Sequence, residues 1–286
     1  MRRLLSPLLT PALFLALLAT PAWAVTPTVN VTACGQVVPD KTIGVLQNNL
    51  ACPGGATPGD APAVQLGKSS TLQMNGHKIT GGGCSLAQGP VVPKSARVTV
   101  QGPGEIANGY YGICFGRGRL TVSDLTIHNT HEGIHGSNAP GSGCVVAATN
   151  LTLSQNEIAG LHAFSVIASN VTATANGFAG IWTFNLKGDN VNASSNAPLG
   201  TQTYAAGISA NGVVRLINSN VKNNIGIGID GRTAALQDST ITGNNGVNAG
   251  IDIATANRPG VRNVTCGHSW KRGLSLALNW GICTGD

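Results

Sequence analysis

The segment NLTLSQNEIAGLH (150–162) returns 20 residues on as NVTATANGFAGIW (170–182). Working outward, the same phrase reads DLTIHNTHEGIH (124–135) before it. After it come NVNASSN (190–196) with AAGIS (205–209), NVKNNIGIGID (220–230) and TITGNNGVNAGID (240–252). Each copy opens near an apolar residue: Leu125, Leu151, Val171, Val191, Val221 and Ile241. Each carries an Asn at 129, 156, 176, 196, 224 or 245 and closes on Gly plus Ile or Leu. The closing glycines are Gly133, Gly160, Gly180, Gly207, Gly228 and Gly250, with Gly112 an earlier member. Repetition at twenty-odd residues is the signature of a solenoid.

The copies are rich in Val, Ile, Thr, Asn and Gly, and apolar residues alternate with small polar ones. That is strand periodicity, and the one or two Leu per copy are too few for a leucine-rich repeat. A coil of about 20 residues holds three short strands and climbs about 4.8 Å per turn. The fold expected is therefore all-β: a single-stranded right-handed parallel β-helix with disulfide-pinned terminal caps. Stacked Asn side chains are expected to hydrogen-bond backbone and one another in its turns. The divisions expected are a signal peptide over 1–24, an N-terminal cap over 25–66, coils over 67–260 and a C-terminal cap over 261–286.

Residues 1–24 pair Arg2 and Arg3 with a leucine-rich run and end in Ala22-Trp23-Ala24, the pattern of a secretory signal. A secreted, extracellular or periplasmic protein is expected, with no later run of eighteen apolar residues to span a membrane. Its removal takes the formal charge from +6 to +4. That balance permits an acidic partner without requiring one, and no nucleic-acid signature accompanies it. A monomer is expected. All seven cysteines lie beyond the signal. Cys34 with Cys52 and Cys266 with Cys283 bracket the two ends and are read as disulfides covering exposed edges. Cys84–Cys114 and Cys114–Cys144 compete for the remaining bridge. Asn-x-Thr triplets stand at Asn30, Asn150, Asn170 and Asn263, and most recur with the coil, so a structural role is favoured over glycosylation.

The opening ACGQVV (33–38), LQNNLACPG (46–54) and TLQMNGHKITGGG (71–83) resembles the first coils of secreted β-helix proteins of the pectate-lyase-like superfamily. The closing NVTCGHSWKRGL (263–274) and NWGICTGD (279–286) is similar to their Cys-pinned end. The resemblance implies contact with polysaccharide, often acidic. The Arg-x-Pro-x-x-Arg, Asn-Thr-Asp, Gly-His-Gly and Asp-Pro-His-Asp signatures of its named activities are absent from this sequence.

If the residue after each Gly points inward, the next points out. That outward row reads Cys114, His135, His162, Trp182, Ser209, Asp230 and Asp252. Two insertions, near 137–146 and 197–206, flank it and are expected to wall a groove. His135, His162 and Ser209 are the candidate catalytic residues, a neutral imidazole abstracting the C5 proton of a uronate, with His131 and Glu132 as orienters. Trp182 is a candidate sugar platform, with Tyr204 and Arg232 as further substrate-binding residues. Asp230 and Asp252, expected about one strand spacing apart, are candidate calcium ligands or a retaining-glycosidase pair; no cofactor is otherwise required. The favoured function is a polysaccharide-active protein that binds an acidic glycan in that groove; if it is catalytic, a lyase or epimerase ranks above a hydrolase. The alternative is a non-catalytic glycan-binding or surface-associated structural protein.

Overall fold

In a computed structural model the described residues are 26–88, 97–137, 143–196, 206–244, 250–273 and 278–286. The signal-like segment and Tyr204 lie outside them. All regular structure among the described residues is β, from Thr28–Val31 to Ser269–Lys271, and every pairing is parallel. Pairing joins each repeat to the next, so successive copies of the phrase stack as layers. The inward row is continuous: Leu86↔Ile113↔Ile134↔Leu161↔Ile181↔Ile208↔Ile229↔Ile253. Each of these side chains is fully buried or nearly so, contributing about 1.5–3 kcal/mol on leaving water.

The recurrent glycines have a steric cause. A Cβ on Gly133 would lie 2.5 Å from the Gly160 carbonyl oxygen, and one on Gly160 would lie 2.8 Å from that of Gly180. Successive layers approach too closely here for any side chain. The Asn ladder forms beside them: Asn156, Asn176, Asn196 and Asn224 each donate from Nδ2 to the Oδ1 of the next member, ending at Asn244. From Asn176 onward each Nδ2 also reaches a backbone carbonyl, as Asn176 does at Leu153 O, 3.1 Å away. A left-handed residue precedes each rung, as at Gln155, Ala175 and Ser195.

Two rungs differ from expectation by one residue. Asn129 is itself the left-handed residue, with φ 53°, and Thr130 takes the rung by donating its hydroxyl to Asn156 Oδ1 at 2.6 Å. At the other end Asn244 holds the rung, and Asn245 lies outside the described residues. The opening apolar row shifts as well. Val221 stacks on Ala193 rather than on Val191, and buried Ser219 and Ser239 continue the Val191 column. Their hydroxyls donate to Ile217 O and Gln237 O, which is how a polar side chain is accommodated there.

A second, exposed ladder explains the Asn-x-Thr triplets at Asn150 and Asn170. Asn150, Asn170 and Asn190 all have φ near +53° and pass hydrogen bonds from layer to layer, beginning at Asp124. Asn263 donates likewise to Asp238. Asn is recurrent there because it tolerates the left-handed turn.

The disulfides are Cys34–Cys52, Cys266–Cys283 and Cys84–Cys114. Cys144, the seventh cysteine, is a buried thiol directed at Phe115 O, and burial pushes its pKa up to about 11. No helix among the described residues is long and apolar enough to cross a membrane.

Candidate functional site

The outward row is assembled as the alternation requires as far as Asp230. Cys114, His135, His162, Trp182, Ser209 and Asp230 are consecutive partners in register. A second outward row runs beside it, made of Cys84 and then the residue that precedes each glycine: Tyr111, Glu132, Ala159, Ala179, Ala206 and Ile227. The two rows touch on a diagonal, one layer apart. Cys84 bonds to Cys114 along that diagonal, and Glu132 reaches His162 along the same one. Ala159, above Glu132, leaves the carboxylate room to do so.

Glu132 is therefore the centre of the site. His135 Nδ1 is 2.6 Å from its Oε2, and His162 Nδ1 is 3.2 Å from both Oε1 and Oε2. Burial by itself would raise the pKa of this carboxyl. The hydrogen bonds and charge of the two imidazoles outweigh it and hold the group at about 2. An ionised carboxylate only accepts, so the His135 ring turns a protonated Nδ1 toward it, and in the neutral form of the ring Nε2 is then the acceptor.

The two histidines differ in access. The His135 side chain is 35% exposed, whereas that of His162 is 9% exposed. His162 lies flat on Trp182, ring centroids 4.2 Å apart and planes 4° apart, and its Nε2 is buried without a hydrogen-bond partner among the described residues. His135 meets His162 edge-on and is stacked on Tyr111 at 4.2 Å. Of the two, His135 is the ring a substrate can reach. Trp182 has one face covered by His162 and Phe178 against it at 5.4 Å, leaving less platform than an open indole would offer.

Three of the expected site residues are placed elsewhere. Ser209 is in register with Trp182 and Asp230, two layers from His162, about 10 Å at one strand spacing per layer. It does not join the histidines. Asp252 does not stack on Asp230. Ile253 pairs with Ile229 and Ala254 with Asp230, two residues later than the Gly-Ile-Asp phrase implies. Asp252 occupies the position equivalent to Gly228 and ends the Asn ladder, accepting from Asn244 Nδ2 at 2.7 Å and from Gly267 N at 2.6 Å. The carboxylate pair that motivated calcium is not formed. Arg232 stands exposed in the turn after Gly231, and the cation facing Asp230 is Arg272, 3.4 Å away. Asp230 is buried, which raises its pKa against the pull of Arg272.

Tyr111 escaped the sequence reading, and Glu132 entered it only as an orienter. The available signal was the residue before each glycine, which is Ala in three successive layers but Tyr and Glu at positions 111 and 132. Their aromatic neighbourhood extends to a cleft of about 490 Å³ lined by Gly55, Asn108, Tyr110, Asn129, His131 and Glu157, among others. Tyr110 stacks on His131 at 4.5 Å and meets Tyr111 edge-on at 4.7 Å, while His131 Nδ1 lies 2.9 Å from Glu157 Oε2.

Compared with models of protein families, with curated proteins and with solved structures, the chain has no match in any of the three.

Proposed function

We propose that the layers form one right-handed parallel β-helix of a secreted protein, and that its outward face binds an acidic polysaccharide which His135 deprotonates. The observation that carries this is the 2.6 Å contact between buried, ionised Glu132 and the partly exposed His135. A carboxylate that fixes the tautomer of an imidazole and leaves Nε2 outward is the arrangement of a general base. The adjoining cleft supplies aromatic rings and the amides of Asn108, Asn129 and Gln155, groups suited to sugar faces and hydroxyls. In a β-elimination the C5 proton of a uronate passes to His135 Nε2 and its electron pair forms the C4–C5 double bond. The C4–O bond breaks, and the leaving oxygen takes a proton from water. Epimerisation shares the first step and returns the proton on the other face.

The alternative is a glycan-binding protein without catalysis, and the flat stacking of His162 on Trp182 favours it, because it uses both rings as packing. A panel of uronate polymers in chelator-containing buffer separates the two, read by absorbance of unsaturated ends and by proton exchange at C5. Under the catalytic reading His135→Ala lowers turnover about 10²–10⁴-fold. Polymers that are bound but left intact, with no exchange at C5, establish the binding protein instead.

A further inference from the structure

We propose that Glu132, His135 and His162 form a binding site for a divalent transition-metal ion of zinc's class. One ligand atom from each of the three lies within 4.8 Å of the others, and Glu132 Oε2 is 2.6 Å from His135 Nδ1 and 3.2 Å from His162 Nδ1, so a small adjustment brings all three within reach of one ion with bonds of about 2.0–2.2 Å. His162 Nδ1 is 3.2 Å from both carboxylate oxygens. It thus faces the space between them rather than lying along a single hydrogen-bond direction.

Two imidazole nitrogens and one carboxylate oxygen are a borderline donor set, suited to zinc, copper or nickel. Calcium takes about six to eight oxygen ligands and is not served by it. Two of the three ligands are already fixed: Glu132 is buried in the stack, and His162 is clamped against Trp182. His135 is the adjustable one. Its 2.6 Å contact with Glu132 must lengthen to about 3 Å for both atoms to bind one ion, a small swing for a partly exposed ring. The exposed side of His135 leaves a fourth position for water.

Coordination at His135 Nδ1 needs that nitrogen's lone pair, so the proton of the neutral ring passes from Nδ1 to Nε2. The loaded protein then has no proton acceptor at His135, so ion and general base exclude one another. The site does not depend on the glycan reading.

The test is isothermal titration of the purified, chelator-treated protein with zinc chloride, without glycan, supported by the visible spectrum of the cobalt(II) form. One ion per chain is expected for the wild type, with nitrogen- and oxygen-type cobalt bands. Glu132→Gln and His135→Ala should each lose that ion, and Cys144→Ser and Asp230→Asn should keep it. Should Glu132→Gln fail to fold, His135→Ala decides, because its ring lies at the surface. No stoichiometric ion in the wild type, or an ion retained by His135→Ala, overturns the proposal. Because the glycan assays run in chelator and the titrations run without glycan, either reading can fail without the other.

Discussion

Two columns rise through the same repeats and obey opposite rules. The Asn ladder turns inward, and each rung from Asn176 to Asn244 accepts from the rung below while donating to the rung above and to a carbonyl. Thr130 begins it and Asp252 ends it, each with the hydrogen-bonding its end requires. The outward row has no such reciprocity. It passes from a disulfide through two imidazoles and an indole to a serine and a buried aspartate, and leaves His162 Nε2 and Asp230 Oδ1 without hydrogen-bond partners among the described residues. A column whose members depend on identical neighbours cannot vary. One whose backbone pairing is complete without its side chains is free to carry chemistry.

The largest effect should come from breaking the ladder. Asn176→Leu removes an acceptor for Asn156 and a donor to Leu153 O and Asn196. With each stranded polar group costing about 1–3 kcal/mol, a loss of several kcal/mol is expected in chemical denaturation. Trp182→Ala in the same layers should cost clearly less. Equal losses would dissolve the contrast between the columns.

Next is the response to acid in metal-free protein. The Glu132 pKa is lowered from 4.5 to about 2 in the folded state, so its stabilisation is present above about 4.5 and is lost as pH falls toward 2. The upper bound is about 3 kcal/mol. Stability measured at pH 6 and pH 3 should therefore fall less in Glu132→Gln than in the wild type. Asp230 has the opposite sign: its raised pKa means that ionisation opposes folding as pH rises above the ordinary carboxyl range. Asp230→Asn should be near neutral or stabilising at pH 7, and relatively less favourable at pH 3. A loss at pH 7 that exceeds the loss at pH 3 would mean that Arg272 outweighs burial.

The smallest effect belongs to the exposed ladder. Asn170 has φ 54°, so Asn170→Ala should cost about 1 kcal/mol while Asn170→Gly costs little. Mass spectrometry of protein from a glycosylating host would test the structural role directly, with Asn170 expected unmodified.

Reading the repeat as text worked where one alignment satisfied every constraint and failed where two did. Gly250-Ile251-Asp252 copies Gly228-Ile229-Asp230 letter for letter. The layer nevertheless seats Ile253 over Ile229, because the register is set by the whole strand and not by its most legible triplet. The same ambiguity placed a rung at Asn129 instead of Thr130. His162 and His135 follow identical Gly-Ile/Leu signals, and nothing in those signals distinguishes the ring laid under Trp182 from the ring left at the surface.

By itself, the sequence determined the parallel stacking of short strands, the inward Ile and Leu row, the existence of an Asn ladder, the two end disulfides and the outward order from Cys114 to Asp230. All of these follow from periodicity and residue chemistry, which are local. Only the tertiary structure decided that Cys84 bonds Cys114, that Glu132 binds both histidines and that Asp252 closes the ladder. Each of these depends on a diagonal contact or a two-residue register between layers, and a side-chain period of two is blind to both.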